Sequence, residues 1–291
     1  MKESHLFSEY RLRDAVTGRE AEAAIGLRNG WDLANGIRLH TSFERISSVN
    51  GNTQESTAVT GAIEYNAHKE WKGSARLEYR TDGTSNNILN TLGMAHKLNN
   101  EWTLLARNAI SLQSYKAGGN KNEDRMQIGL AYRDFDTNKI DALGRYEFRY
   151  AKDNTGALDS QRYAHIVSTH INYQPHADLT YTGRYAGKYV IDDSNGISST
   201  STAHFLGGRL DYDFKRDWTV GINTSVLFNG NFGSRQYALG GELGYLAMKN
   251  LWVSAGYNVF GFFDKDLTGE DYINQGLFLR LRYKFDESVF K

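Results

Sequence analysis

The chain has 291 residues, with 34 basic and 34 acidic side chains, no cysteine and a single proline. Balanced charge offers no basic stripe for nucleic acid, and the lack of cysteine removes disulfides, thiolate metal sites and cysteine nucleophiles. No apolar run approaches the ~18 residues of a transmembrane helix, but a mean hydropathy of −0.57 is compatible with strands that alternate between lipid and water.

The first ten residues, MKESHLFSEY, contain no apolar core of the kind a signal peptide needs. The expectation is that Met1 is an added start and that residues 1–291 are one domain cut from a longer precursor. From there the sequence repeats a single grammar: an alternating segment, a polar loop, an alternating segment, a tight turn. In chain order the loops are DAVTGRE, SSVNGNTQES, RTDGTSNN, YKAGGNKNED, AKDNTGALDS, IDDSNGISST, FNGNFGSR and FDKDLTGEDY. The turns between them are LANGIR, HKEWKG, NNEWTL, DTNKID, QPHADL, FKRDWTV and MKNLWV. Turns recur every ~30–40 residues, one hairpin pair per repeat. Eight loops and seven turns divide the chain into sixteen strands of ~9–13 residues, the length of a tilted membrane-spanning strand.

Alternate positions of each strand form one apolar face. In the ninth strand Ile140, Ala142, Gly144, Tyr146, Phe148 and Tyr150 oppose Asp141, Arg145, Glu147 and Arg149. Uniformly long strands, with shorter turns on one side than on the other, predict a closed antiparallel up-and-down transmembrane β-barrel of sixteen strands, short turns on the periplasmic side, rather than a soluble sandwich. Trp31, Trp71, Trp102, Trp218 and Trp252 all fall near the tight turns and read as a membrane-interface girdle.

Parity places Arg76, Arg80, Arg107, Arg145, Arg149, Arg184, Lys188, Arg280, Arg282 and Lys284 toward a wet lumen. Glu78, Glu147, Asp211 and Glu242 share that face, and signs mix within a strand, as in Arg76-Glu78-Arg80 and Arg145-Glu147-Arg149. A wall with more cations than anions lowers the entry cost for negative solutes; the same pairs also serve to brace a solvated wall. No loop is long enough to fold inward as a constriction.

No enzymatic constellation stands out, and the expectation is a protein without catalytic residues, cofactor or metal. The eight histidines (His5, His40, His68, His96, His165, His170, His176 and His204) form no close ligand pair. Asp264, Asp266, Thr268 and Gly269 have the spacing of a calcium loop, but Gln275 stands where the bidentate glutamate belongs.

The stretch GLFLRLRYKF, from Gly276 to Phe285, resembles the C-terminal assembly signal of bacterial outer-membrane proteins: Gly276, then Leu279, Leu281, Tyr283 and Phe285 on one face. It departs from that pattern in its tail, because DESVFK follows the aromatic. Residues 251–287 also resemble the ending of large multi-modular bacterial surface proteins, which carry Ig-like repeats before a C-terminal barrel. The resemblance implies the outer membrane of a Gram-negative bacterium. Implied partners are outer-membrane lipid and lipopolysaccharide, the barrel-assembly machinery and an N-terminal domain or passenger of the same polypeptide. The leading expectation is an anchor and translocation channel for that larger protein. A stand-alone porin for small, preferentially anionic solutes comes second and an exopolysaccharide-export barrel third.

Overall fold

Side chains that alternate apolar and polar need an extended backbone to reach opposite faces. That is the conformation found in the computed structural model, which describes residues 2–15, 18–50, 55–156, 159–230, 233–248, 250–261 and 275–283. The strands are β1 (Lys2–Ala15), β2 (Gly18–Ala34), β3 (Ile37–Asn50), β4 (Ser56–Tyr65), β5 (Trp71–Asp82), β6 (Ser85–Lys97), β7 (Trp102–Tyr115) and β8 (Asn120–Arg133). They continue as β9 (Ile140–Asp153), β10 (Ser160–His176), β11 (Leu179–Ser194), β12 (Ile197–Lys215), β13 (Trp218–Asn229), β14 (Ser234–Met248), β15 (Leu251–Phe260) and β16 (Gly276–Tyr283). The described residues thus form sixteen strands in one sheet, ordered as in the sequence. Neighbours pair antiparallel, for instance Thr60 opposite Glu78 and Gly221 opposite Glu242. Each strand is hydrogen-bonded to its sequence neighbour, so β2 to β15 are paired along both edges without water, as a bilayer demands.

Several segments that composition marks as loops are strand. RTDGTSNN reduces to a connection of Gly83 and Thr84, and IDDSNGISST to Asn195 and Gly196. Asn195 (φ 52°) and Gly196 (φ 78°) are both left-handed, the requirement of a type I′ turn, whose twist matches that of the flanking strands. At the other tip Asp82 Oδ1 accepts the amides of Thr84 (2.7 Å) and Ser85 (2.6 Å). Because the turn chemistry sits at the tip, strands run on through polar residues. β10 reaches 17 residues and β12 reaches 19, beyond the expected length. Polarity there reports the solvent beside the strand, not a break in it.

By internal contacts the chain comprises two compact units. One contains Met1–Gly129, Glu147–His165 and Ile191–Ser199; the other contains Leu130–Tyr146, Ile166–Val190 and Thr200–Lys291.

In the first unit one face carries Val59, Ile63, Leu77, Tyr79, Leu92 and Met94, all exposed. In the second, Leu206, Ile222, Leu239 and Leu243 are exposed in the same way. Water does not tolerate so continuous an apolar surface, so this is the face that meets lipid. Buried apolar residues are mostly small and lie on the other face: Ala58 and Ala24 in the first unit, Ala186, Ala203, Phe205 and Leu227 in the second. The arrangement inverts that of a soluble sheet protein.

Candidate functional site

The polar face of the first unit is organised around two carboxylates. Glu78 on β5 accepts from Arg76 and Arg80, its neighbours two positions away on the same side of the strand, with Arg80 Nε at 3.1 Å. Thr60 Oγ1 donates from β4 at 3.3 Å. Arg80 reaches further, to Ser56 Oγ (3.1 Å) and Glu44 Oε1 (3.3 Å), so one guanidinium ties β5 to both β4 and β3. Glu147 on β9 accepts from Arg149 on its own strand. Arg125 Nε (2.6 Å) and Gln127 Nε2 (2.7 Å) complete its shell from β8.

The second unit builds its centre differently. Glu242 on β14 takes Ser254 Oγ from β15 at 2.5 Å, Arg280 Nη1 from β16 at 3.0 Å and Arg209 from β12 at 3.2 Å. Arg209 also grips Asp211 through two nitrogens, each at 2.7 Å. Gly221, directly opposite Glu242, makes room for this pair. A Cβ there would lie 2.7 Å from both Arg209 Nη2 and Asp211 Oδ1. Arg209, Asp211, Glu242, Arg280 and Arg282 border one recess of 390 Å³.

In all three clusters the carboxylate is sunk and an arginine stands proud. Glu78 is 11% exposed against 50% for Arg76, Glu147 1% against 52% for Arg125, and Glu242 8% against 44% for Arg280. A solute passing over this face meets guanidinium groups, while the compensating negative charge lies behind them. Field over these three clusters is therefore more positive than their residue count implies, whereas in the pairs Arg38–Asp32, Lys121–Glu123 and Arg162–Asp192 the carboxylate is the more exposed partner.

The remaining sequence-derived positions sort as follows. Arg107 pairs across from Gly93, on the face opposite Ala106 and Met94. Arg184 and Lys188 share the parity of buried Ala186, opposite to exposed Tyr185 and Tyr189, and Arg145 has the same strand parity as Glu147. Trp31, Trp71, Trp102 and Trp218 stand on the apolar face; Trp71 packs on Tyr65 with ring centroids 4.3 Å apart, and Trp218 on Tyr245 at 4.8 Å.

Trp252 requires a correction. It is opposite Arg282 and alternates with Ser254 and Gly256, so it belongs to the polar face and borders the recess. Proximity to a turn grouped it with the girdle, whereas the alternation Val253, Ala255, Tyr257 already excluded it. Leu279, Leu281 and Tyr283 are exposed on the apolar face, and Gly276 opens β16. Lys284, Phe285 and the Asp264-Asp266-Thr268-Gly269 spacing lie outside the described residues.

Sequence reading also missed a buried apolar patch of Ile166, Ala186, Ala203, Phe205 and Leu227. Phe205 lies on the strand side of Arg209 and Asp211. Its strand parity places it there.

No protein-family model and no characterised sequence matches the chain. Similar solved structures are bacterial outer-membrane proteins. The alcaligin outer-membrane receptor FauA of Bordetella pertussis superposes with a TM-score of 0.52 at 10% identity, over 96% of this chain and 64% of the receptor. A bacterial polysaccharide outer-membrane secretin gives 0.46 at 10% identity, over 89% and 90%. The anion-selective porin of Comamonas acidovorans gives 0.37 at 11%, over 79% and 90%. Sixteen up-and-down strands, exposed apolar faces suited to lipid and the likeness to FauA together establish the fold as that of the outer-membrane β-barrels.

Proposed function

We propose that the chain is a non-enzymatic outer-membrane channel whose wall favours anionic solutes. The observation that carries this reading is the uneven exposure within its three buried-carboxylate clusters: half-exposed arginines in front of sunken Glu78, Glu147 and Glu242. Such a wall lowers the cost of bringing negative charge out of bulk water and raises that of positive charge. On this reading the apolar sheath meets outer-membrane lipid and lipopolysaccharide, and β16 is the strand engaged during barrel assembly. The test is single-channel recording of the refolded chain in a planar bilayer under a salt gradient. The expected result is a steady conductance with an anion-selective reversal potential, shifting toward zero in the double variant Arg125→Gln, Arg282→Gln. Cation selectivity of the unmodified chain refutes it.

A second reading, an anchor and translocation domain for a larger surface protein from which residues 1–291 are cut, is favoured by the resemblance of residues 251–287 to the endings of such proteins. A folded chain that conducts nothing supports the anchor over the channel.

A further inference from the structure

The recess of the second unit holds a combination that ion-pair bracing does not use. Trp252, half-buried, presents an indole to the polar face, directly cross-strand from Arg282. Directly opposite residues in an antiparallel pair have Cβ atoms about 5 Å apart, so indole and guanidinium bound the same small volume. Among the described residues Arg282 has no carboxylate partner, unlike Arg209 and Arg280, which are committed to Asp211 and Glu242. The recess also contains an exposed carboxylate, Asp213, held by the Thr219 hydroxyl at 2.5 Å.

Each feature selects a property of the ligand. An exposed indole face takes up a flat, weakly polar surface. A free guanidinium takes a carboxylate or similar oxyanion through paired N–H donors. Asp213 accepts hydrogen bonds only, so it repels a ligand that is purely anionic and welcomes one that carries hydroxyl donors. A ring with one flat apolar face, one negative group and several hydroxyls is an acidic sugar. We infer that the recess bordered by Trp252, Arg282 and Asp213 is a binding subsite for a uronic-acid unit of a saccharide. The sugar ring stacks on Trp252, its carboxylate bridges to Arg282, and a hydroxyl of the adjoining sugar unit donates to Asp213, which lies three strands from Trp252. This goes beyond the channel reading, because it assigns a ligand class to one place on the wall. It needs that face to be wet, not the pore to be open.

Isothermal titration of the refolded chain in detergent with trigalacturonate, against maltotriose as a neutral saccharide of equal length, tests the assignment without any conductance. The expected result is binding of the acidic trisaccharide at least 10-fold tighter than of the neutral one. Trp252→Ala and Arg282→Gln each weaken it by 10-fold or more, while Trp252→Phe retains most of it. Heat-modifiable electrophoretic mobility verifies that each variant is folded. Should Trp252→Ala fail to fold, Trp252→Leu, which keeps apolar bulk without an aromatic face, replaces it. Equal binding of both saccharides, no binding of trigalacturonate, or folded variants that bind like the unmodified chain each overturn the assignment. A loss of anion selectivity in bilayers with binding intact strikes the channel reading alone.

Discussion

Glu147 and Glu242 perform the same task in their respective units but are assembled from different ranges of sequence. Glu147 draws Arg149 from two positions along its own strand and Arg125 from the preceding one, 22 residues away. Glu242 has no arginine beside it on β14, and its arginine partners are 33 residues earlier and 38 residues later. An R-x-E-x-R pattern within a strand is available as soon as that strand forms. A carboxylate that waits for β12 and β16 is complete only when both have docked. The first design is local and robust, whereas the second ties the last strand to the sheet.

The same difference explains what could be read beforehand. Period-two alternation, turn residues and the Trp-rich tight turns are local, and they yielded sixteen strands and the two faces. Arg76-Glu78-Arg80 was legible because its members are two residues apart. The Glu242 centre was legible only as a set of inward positions. Nothing local says that Arg209 grips Asp211 and Glu242 together, or that Gly221 leaves the space. Composition misled where it was asked about topology, as with Asn195-Gly196, where a two-residue turn lies within an apparent ten-residue loop. Proximity to a turn misled for Trp252, where parity prevailed.

Removing each carboxylate breaks the comparison most directly. Glu147→Gln leaves two guanidiniums facing each other without an anion, and is expected to cost roughly 2–3 kcal/mol, below the range for a fully buried pair because Arg125 is half exposed. Glu242→Gln is expected to cost less, roughly 1–2 kcal/mol, because Arg209 keeps Asp211. Urea unfolding in detergent micelles, followed by tryptophan fluorescence, gives both values. Equal losses, or a larger one for Glu242, mean that the shared arginine provides no compensation.

A smaller effect separates local from long-range pairing. Arg280→Gln releases β16 from Glu242, while Arg76→Gln leaves Glu78 with Arg80 and Thr60. Amide exchange in β15 and β16 is expected to rise about 3-fold to 10-fold in the first variant, corresponding to ~0.6–1.4 kcal/mol of local stability. In the second variant, exchange in β4 and β5 rises less. If both hairpins respond alike, the distance in sequence between partners has no bearing on how the sheet is held.

The smallest effect lies outside the membrane, in the turn between β8 and β9. Asp134 there accepts the Thr137 hydroxyl and the backbone amides of Thr137 (3.0 Å) and Asp136 (3.2 Å). Its carboxyl is held below the ordinary range for an aspartate, first by the Thr137 hydroxyl and then by the Thr137 amide. A folded-state value below the unfolded one means that the contribution is fully present above the unfolded pKa of about 3.9. It is lost as pH falls through the lower, folded value. Turn stability is therefore flat from neutral pH down to about 4 and declines only in stronger acid. Thr137→Val removes the leading hydrogen bond but keeps the shape, so the carboxyl of Asp134 moves up toward its ordinary value. The decline still begins near the unfolded pKa, but it is smaller and ends at a higher pH. Carbon-13 titration of the Asp134 carboxyl in both forms measures the displacement directly. An unshifted titration in the variant means that the backbone amides alone hold the charge. Polar turns of this barrel would then be closed by the main chain, as its membrane-spanning strands are.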